Sequence, residues 1–357
     1  MAEYRAIRKA LAPLGAAYGA VMSLRNFCYD RSLVPVYRSA LPVICAGNAV
    51  AGGSGKSPFV DYLAARLLAQ GMPPVILSRG YRGRLRGPHL VQSSDCAADV
   101  GDEALMHGEA AESSGVNVPV VIARDRCAGA RFIEEHNLGR VILLDDGFQH
   151  RRLARDLNVL LLDCSSPEAA TKWSDAKMLP AGYLREHLQE ALRRAHCLVL
   201  VRRSAAPQPS YPAWVEHASF PANLPVFHLS LVPGALIDLF SGEPLPLDSL
   251  RGVQACAACA IAAPAAFFAL LSELGIIIKQ SFSYPDHYLF TPRDFARWRA
   301  GPDSPLVVTL KDAVKLKRFV TAKGTAFALQ LLPSFDQDEE KLLWELIEKN
   351  ISQKNKG

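Results

Sequence analysis

A short apolar run, Pro42–Ala46, leads directly into Gly47-Asn48-Ala49-Val50-Ala51-Gly52-Gly53-Ser54-Gly55-Lys56-Ser57 and then into a helix-forming stretch. That succession of strand, glycine-rich loop and helix is the context in which a loop wraps a phosphate. Glycines let successive backbone N–H groups turn inward, and the helix N-terminus adds the positive end of its dipole. The cradle expected here is Val50, Ala51, Gly52, Gly53, Ser54, Gly55, Lys56 and Ser57. Lys56 reaches the transferred phosphate, and the Ser57 hydroxyl is a ligand for Mg²⁺. The strict pattern G-x4-G-K-[ST] asks for glycine at position 50, where this chain has Val50; Gly52 and Gly53 offer backbone freedom two residues later. A second apolar run, Val141–Leu144, ends in Asp145 and Asp146, and carboxylates in that place are the usual holders of the metal. The same pair also reads as the opening of a turn at Asp146-Gly147.

The pattern around the loop predicts an α/β fold of the P-loop NTPase kind, a mostly parallel sheet flanked by helices. Expected strands are 42–46, 74–77, 118–123, 140–144, 157–162 and 197–201, separated by helices at 57–70, 102–113, 126–136 and 186–195. Five prolines between residues 204 and 225 break the rhythm, so 41–225 reads as the loop-bearing domain and 226–357 as a smaller α/β domain that closes over the site. Strands at 253–261, 276–281 and 306–309 and helices at 264–274, 292–300 and 338–349 are expected in the second.

Residues 1–40 carry six basic against two acidic side chains, a local +4 out of a net +5 for the chain. So modest an overall surplus does not describe a nucleic-acid binder. Its concentration in a partly apolar N-terminus suits an anionic membrane surface, equally with a helix that packs only on its own domain. Leu11–Leu24 contains Pro13 and falls short of the roughly 18 apolar residues that would span a bilayer. The eight cysteines are scattered, several in buried-strand patterns, and the lone Cys256/Cys259 pair lacks the partners of a zinc site. Packing is its expected role.

Taken in order, several blocks resemble the tetraacyldisaccharide 4'-kinase family of the lipid A pathway of Gram-negative bacteria. They are the loop at 47–58, Ser78-Arg79-Gly80-Tyr81, Gly101-Asp102-Glu103-Ala104-Leu105 and Ala123-Arg124-Asp125-Arg126. Asp145-Asp146-Gly147-Phe148-Gln149-His150, Leu179-Pro180-Ala181-Gly182 with Leu184-Arg185-Glu186, Pro285-Asp286-His287 and Thr309 to Lys315 complete the series. Leu310 and Ala260 depart from it, where the family carries Glu and Gly. The resemblance implies ATP and Mg²⁺ as cofactors and an acylated disaccharide 1-phosphate lipid as acceptor. It further implies peripheral attachment to the cytoplasmic face of the inner membrane, with no obligate protein partner. It assigns Asp102 as base, paired with His287 once the domains close; on residue grounds alone Asp102 reads equally as a helix N-cap and His287 as a turn residue. Arg126 and Arg185 are the candidates for phosphate contacts, since guanidinium forks match phosphate oxygens. Tyr81, Glu103, Gln149 and His150 follow as substrate contacts.

Two other functions fit parts of the pattern. An ATP-dependent ligase of small molecules would share the loop and the carboxylates. A nucleotide-switch GTPase would use Thr309-Leu310-Lys311-Asp312 to read guanine.

Overall fold

The computed structural model describes residues 8, 10–113, 118–204, 220–298 and 304–354. Among them, one sheet of thirteen strands runs through the molecule. In chain order these are β1 (Val43–Gly47), β2 (Pro74–Ser78), β3 (His89–Leu90), β4 (Val120–Ile122), β5 (Val141–Asp145), β6 (Leu157–Asp163) and β7 (Cys197–Arg203). There follow β8 (Val226–Asp238), β9 (Pro244–Leu245), β10 (Gln254–Cys259), β11 (Ile277–Ser283), β12 (Leu306–Thr309) and β13 (Ala326–Ser334). Across the sheet the order is β11-β10-β12-β13-β8-β7-β6-β1-β5-β2-β4-β3, with β9 paired only to β8.

The apolar runs form strands because both faces of the sheet are covered, so a parallel strand need not alternate with polar residues. Successive side chains still separate into two cores. Ile44, Ile76, Leu143, Val159 and Val199 enter one, and Cys45, Leu77, Leu144, Leu160 and Leu200 the other. The first core is closed by the helix after the loop (Lys56–Ala69) and by the C-terminal helix (Gln337–Lys354), where Phe59 and Leu63 share the cluster of Leu343, Trp344 and Ile347. Tyr62 donates to Glu340 at 2.6 Å and accepts from the Trp344 indole at 3.0 Å, so the C-terminal helix is keyed to the loop helix.

β1 is parallel to β5 on one side and β6 on the other, with Ala46 opposite both Asp145 and Val159. The chain crosses β1 between β5 and β6, so the segments leaving the strand ends diverge there, and a cleft opens at their C-terminal edge. Beyond β7 the expected break carries the sheet onward: β8 is parallel to β7 through its first six residues and antiparallel to β13 along most of its length. Pro221 and Pro225 lie just before β8, while Pro207, Pro209 and Pro212 fall outside the described residues. Cys256 and Cys259 are buried, unpaired residues of β10.

The N-terminal helix (Ala12–Asp30) has two unlike faces. Gly15, Gly19, Met22 and Asn26 are buried against the body, and a Cβ on Gly19 would meet the His187 ring at 3.2 Å, so glycine there permits the close approach. Leu14, Val21, Leu24 and Phe27 point outward, Val21 and Leu24 each 64% exposed. Of the expected basic residues, Arg25 donates to Met22 Sδ and the Gln149 carbonyl and Arg31 lies over the Phe27 ring at 5.3 Å; Arg5 and Lys9 are outside the described residues. No helix among the described residues is long and apolar enough to cross a membrane.

Candidate active site

The loop after β1 is pinned on both flanks. Gly55 has φ +76°, and a side chain on it would collide with Val201 Cγ1 at 2.7 Å, so only glycine allows the chain to turn into the helix that starts at Lys56. Asn48 Nδ2 donates to Ser54 Oγ at 2.9 Å, and Gln149 Nε2 donates to the Asn48 carbonyl at 2.8 Å and to Glu186 Oε1 at 3.0 Å. Gln149, expected at the substrate, therefore has its amide committed to bracing the loop. Val50 is accounted for as well. It forms an antiparallel bridge with Leu184, Ala51 N bonds Tyr183 O and Arg185 N bonds Ala49 O, so this stretch is extended and an apolar side chain is buried there.

Asp145 and Asp146 have separated into different environments. Asp146, at φ +47°, accepts from Arg185 Nη1 at 2.9 Å on each oxygen and stands 3.5 Å from Lys56 Nζ. Burial alone would raise its carboxyl, but the charges of Lys56, Arg185 and Arg126 outweigh that and hold it well below the usual carboxylate range. Asp145 is 1% exposed, and neither oxygen has a hydrogen-bond partner. The charged neighbour beside it is His107, whose Nε2 stands 3.5 Å away while Nδ1 meets Asp61 at 2.5 Å. Burial lowers the His107 pKa, yet Asp61 and Asp145 together raise it well above its ordinary value. A buried carboxylate with open lone pairs at the end of the strand beside the loop is a hard oxygen site that fits Mg²⁺.

Arg126 is 3% exposed; among the described residues its Nη1 bonds the carbonyls of Ala123 and Arg124, at 3.4 and 3.3 Å, and Nε has no partner. Burial, then the neighbouring Arg79 charge, push it down to about 10. His150, beside it, is pushed down to about 4 by burial and by the Arg126 charge.

The third cluster joins distant parts of the chain. Asp102 opens the helix Asp102–Ser113, and His287, at φ +63°, lies in the turn closed by Tyr288 N on Pro285 O; His287 Nδ1 lies 2.9 and 3.0 Å from the two Asp102 oxygens. The contact, expected on closure of the domains, is made in this structure. Asp102 is 4% exposed; burial raises its carboxyl, but His287, Lys311 and Lys315 outweigh it, so its pKa falls below the ordinary value. The Tyr81 ring meets the His287 ring edge-on with centroids 5.0 Å apart. Glu103 lies beside Lys311 at 3.5 Å; burial raises its carboxyl, Lys311 and Lys56 lower it, and Asp145 and Asp146 raise it, so it stands between the two clusters.

Lys311, Lys315 and His107 are the participants that the sequence reading passed over. Lysines four apart on a short helix read as a solvated face, and a lone histidine on a helix reads as core. The guanine-reading motif fails on geometry: Asp312 is fully buried, its Oδ2 accepting from Ala260 N at 3.0 Å and Thr309 Oγ1 at 2.7 Å, with Lys315 Nζ 2.7 Å from Oδ1. It faces the fold and no base could reach it.

The family described as tetraacyldisaccharide-1-P 4'-kinase matches residues 7–351. The chain is 36% identical over 323 residues to the tetraacyldisaccharide 4'-kinase of Geobacter sulfurreducens, covering 88% of this chain and 86% of that one. With the Bdellovibrio bacteriovorus protein of the same name it shares 32% over 318 residues, 87% and 90% of the two chains. The crystal structure of an "apo" form of LpxK from Aquifex aeolicus in complex with ATP superposes with a TM-score of 0.76 at 32% identity, covering 97% of this chain and 99% of that one.

The Asp146 cluster makes a prediction for folding. A carboxyl held below its unfolded pKa contributes stability above that unfolded value, and the contribution is lost as pH falls through the folded one. Asp146→Asn is therefore expected to be less stable than the parent at pH 7 in urea unfolding, with the gap closing below about pH 4. A gap that stays constant down to that range would mean that Asp146 adds no ionic stabilisation.

Proposed function

This chain belongs to the tetraacyldisaccharide 4'-kinase family, and within that family's reaction we propose that Asp102 is the base and His287 the side chain that orients it. The protein is an ATP-dependent kinase that moves the γ-phosphate of ATP to the 4'-hydroxyl of a tetraacyldisaccharide 1-phosphate in lipid A biosynthesis. The observation that carries the reading is the 2.9 Å contact between His287 Nδ1 and an Asp102 that sits next to Glu103, between the phosphate loop and the far half of the sheet.

The loop N–H groups and Lys56 hold the triphosphate. Asp145 and Ser57 would hold Mg²⁺, which would supply neutralising charge on the phosphates. Asp146 is not free for the ion because Arg185 and Lys56 occupy it; its role is to keep Lys56 aimed along the loop. As the 4'-oxygen bonds to the γ-phosphorus and the bond to the β–γ bridging oxygen breaks, the hydroxyl proton passes to Asp102 and ADP departs with the electron pair. A depressed pKa keeps Asp102 ionised and ready at neutral pH. Arg126, with its guanidinium largely unspent, serves a substrate phosphate, and Tyr81 walls the acceptor side of His287. Residues 41–225 and 226–357 act as two lobes that bring the loop and His287 to one cleft.

The lipid acceptor reaches the site from the inner-membrane surface, with the outward face of Ala12–Asp30 lying in the lipid boundary. Its exposed Leu14, Val21, Leu24 and Phe27, with Arg31 above Phe27, have the character of an interfacial helix. Replacing Val21, Leu24 and Phe27 together by serine is expected to abolish co-sedimentation with anionic vesicles while leaving the melting temperature unchanged. Retained vesicle binding would remove this helix from the membrane contact.

The dyad has its own test. Asp102→Ala and His287→Ala are each expected to lower kcat on the order of 10²–10⁴-fold, as loss of a positioned base does. The double variant should be little slower than the poorer single, because groups acting as one unit are non-additive. Effects on labelled phosphate transfer that multiply would assign the two residues separate tasks.

A further inference from the structure

The state of the His287 ring is set from both sides. Nδ1 faces the two Asp102 oxygens, and Glu103 N donates to Asp102 Oδ1 at 3.0 Å, so Asp102 is an ionised, acceptor-only partner. Nε2 faces Lys311 Nζ at 3.3 Å. An ammonium has donors and no acceptor, so the nitrogen opposite it must present its lone pair. A competing acceptor, Asp286 Oδ2, is 3.6 Å from Nε2, beyond hydrogen-bond length, while Asp286 Oδ1 takes a Lys311 proton at 3.0 Å. Lys311 is fixed in turn by Glu103 at 3.5 Å and Asp102 at 3.9 Å, which belong to the other half of the sheet. Lys315 stands 3.8 Å from Asp102 Oδ2, pairs with Asp312 at 2.7 Å and lies over Phe290 at 4.9 Å.

We infer that Lys311 is a positioning residue which holds His287 in the neutral Nδ1–H tautomer, so that the ring donates to Asp102 and cannot itself take the acceptor's proton. This rests on the reading of Asp102 as base and sharpens it. With Nε2 capped by an ammonium, His287 has no free lone pair to offer the 4'-hydroxyl, and the proton has one destination, an Asp102 carboxylate steadied by an N–H. The lysine also ties the loop bearing Asp286 and His287 to the start of the helix bearing Asp102 and Glu103, across a sequence separation of 208 residues between Lys311 and Glu103.

The tautomer can be read without turnover, so this inference and the role of Asp102 can fail separately. The test is the ¹⁵N–¹H correlation spectrum of the full-length protein labelled at its nine histidines. The spectrum is recorded at pH 8, with His287 assigned by the signal lost in His287→Gln. The wild-type ring is expected to show a protonated Nδ1 and an unprotonated Nε2. In Lys311→Met, which keeps length and loses the donor, the two tautomers should mix. kcat should then fall about tenfold or more while KM for ATP stays within about twofold. Lys311→Arg, which keeps donor and charge, should restore the single tautomer and most of kcat. A wild-type spectrum dominated by Nε2–H overturns the inference without any variant, and so remains decisive if Lys311→Met does not fold. An unmixed Nδ1–H ring in Lys311→Met overturns it as well, whether or not kcat falls.

Discussion

Two cations, Lys56 and Arg185, converge on the carboxylate of Asp146, and the arrangement of the site follows from the need to keep those charges together. Taking an ion out of water costs several kcal/mol unless a partner and further hydrogen bonds compensate, so none of the three can move alone. Lys56 belongs to the helix after the loop, Asp146 to the turn after β5 and Arg185 to the segment bridged to Val50. The cluster therefore holds three parts of the chain around one turn of backbone. What it leaves over is as informative: Asp145, one residue earlier and more deeply buried, has open lone pairs, and Arg126 Nε has no partner among the described residues. A site built for an anion and its counter-cation would leave such groups unsatisfied until the ligands arrive.

The second constraint lies across the sheet. Because β8 pairs with β7 on one edge and β13 on the other, the far half of the molecule is fastened to the loop-bearing half by continuous backbone hydrogen bonds. That framework lets a histidine and a lysine from beyond β10 meet an aspartate that precedes β4. Asp102, Asp286, Lys311 and His287 then form a network in which each charged group has a partner, and networks of that kind favour a single geometry when all members are satisfied.

Much of this was legible in the sequence, for reasons particular to each element. β1, β2, β5, β6 and β7 were readable because buried parallel strands are uninterrupted apolar runs, and the loop was readable despite Val50 because strand, glycines and helix stand in order. β8 and β13 escaped, as Pro233 and Gly234 interrupt one and Pro333 the other, and neither alternates cleanly. Asp102 and His287 are 185 residues apart, so local pattern could not pair them; only resemblance suggested it. Lys311 stood out only as part of the guanine-reading pattern, since what distinguishes it from a solvated lysine is the acidic company that tertiary structure supplies. Gln149 was expected as a substrate contact, and its amide nitrogen donates to the Asn48 carbonyl and Glu186.

The account stands on one geometric claim, that the acceptor hydroxyl is deprotonated by Asp102 at the junction of the two halves. Its most direct test is a crystal structure of the ternary complex with a non-hydrolysable ATP analogue and a tetraacyldisaccharide 1-phosphate. The account predicts the 4'-oxygen within hydrogen-bond reach of an Asp102 oxygen, about 2.6–3.2 Å, and in line with the γ-phosphorus. A 4'-oxygen seated against another side chain, with Asp102 remote from the acceptor, would contradict it.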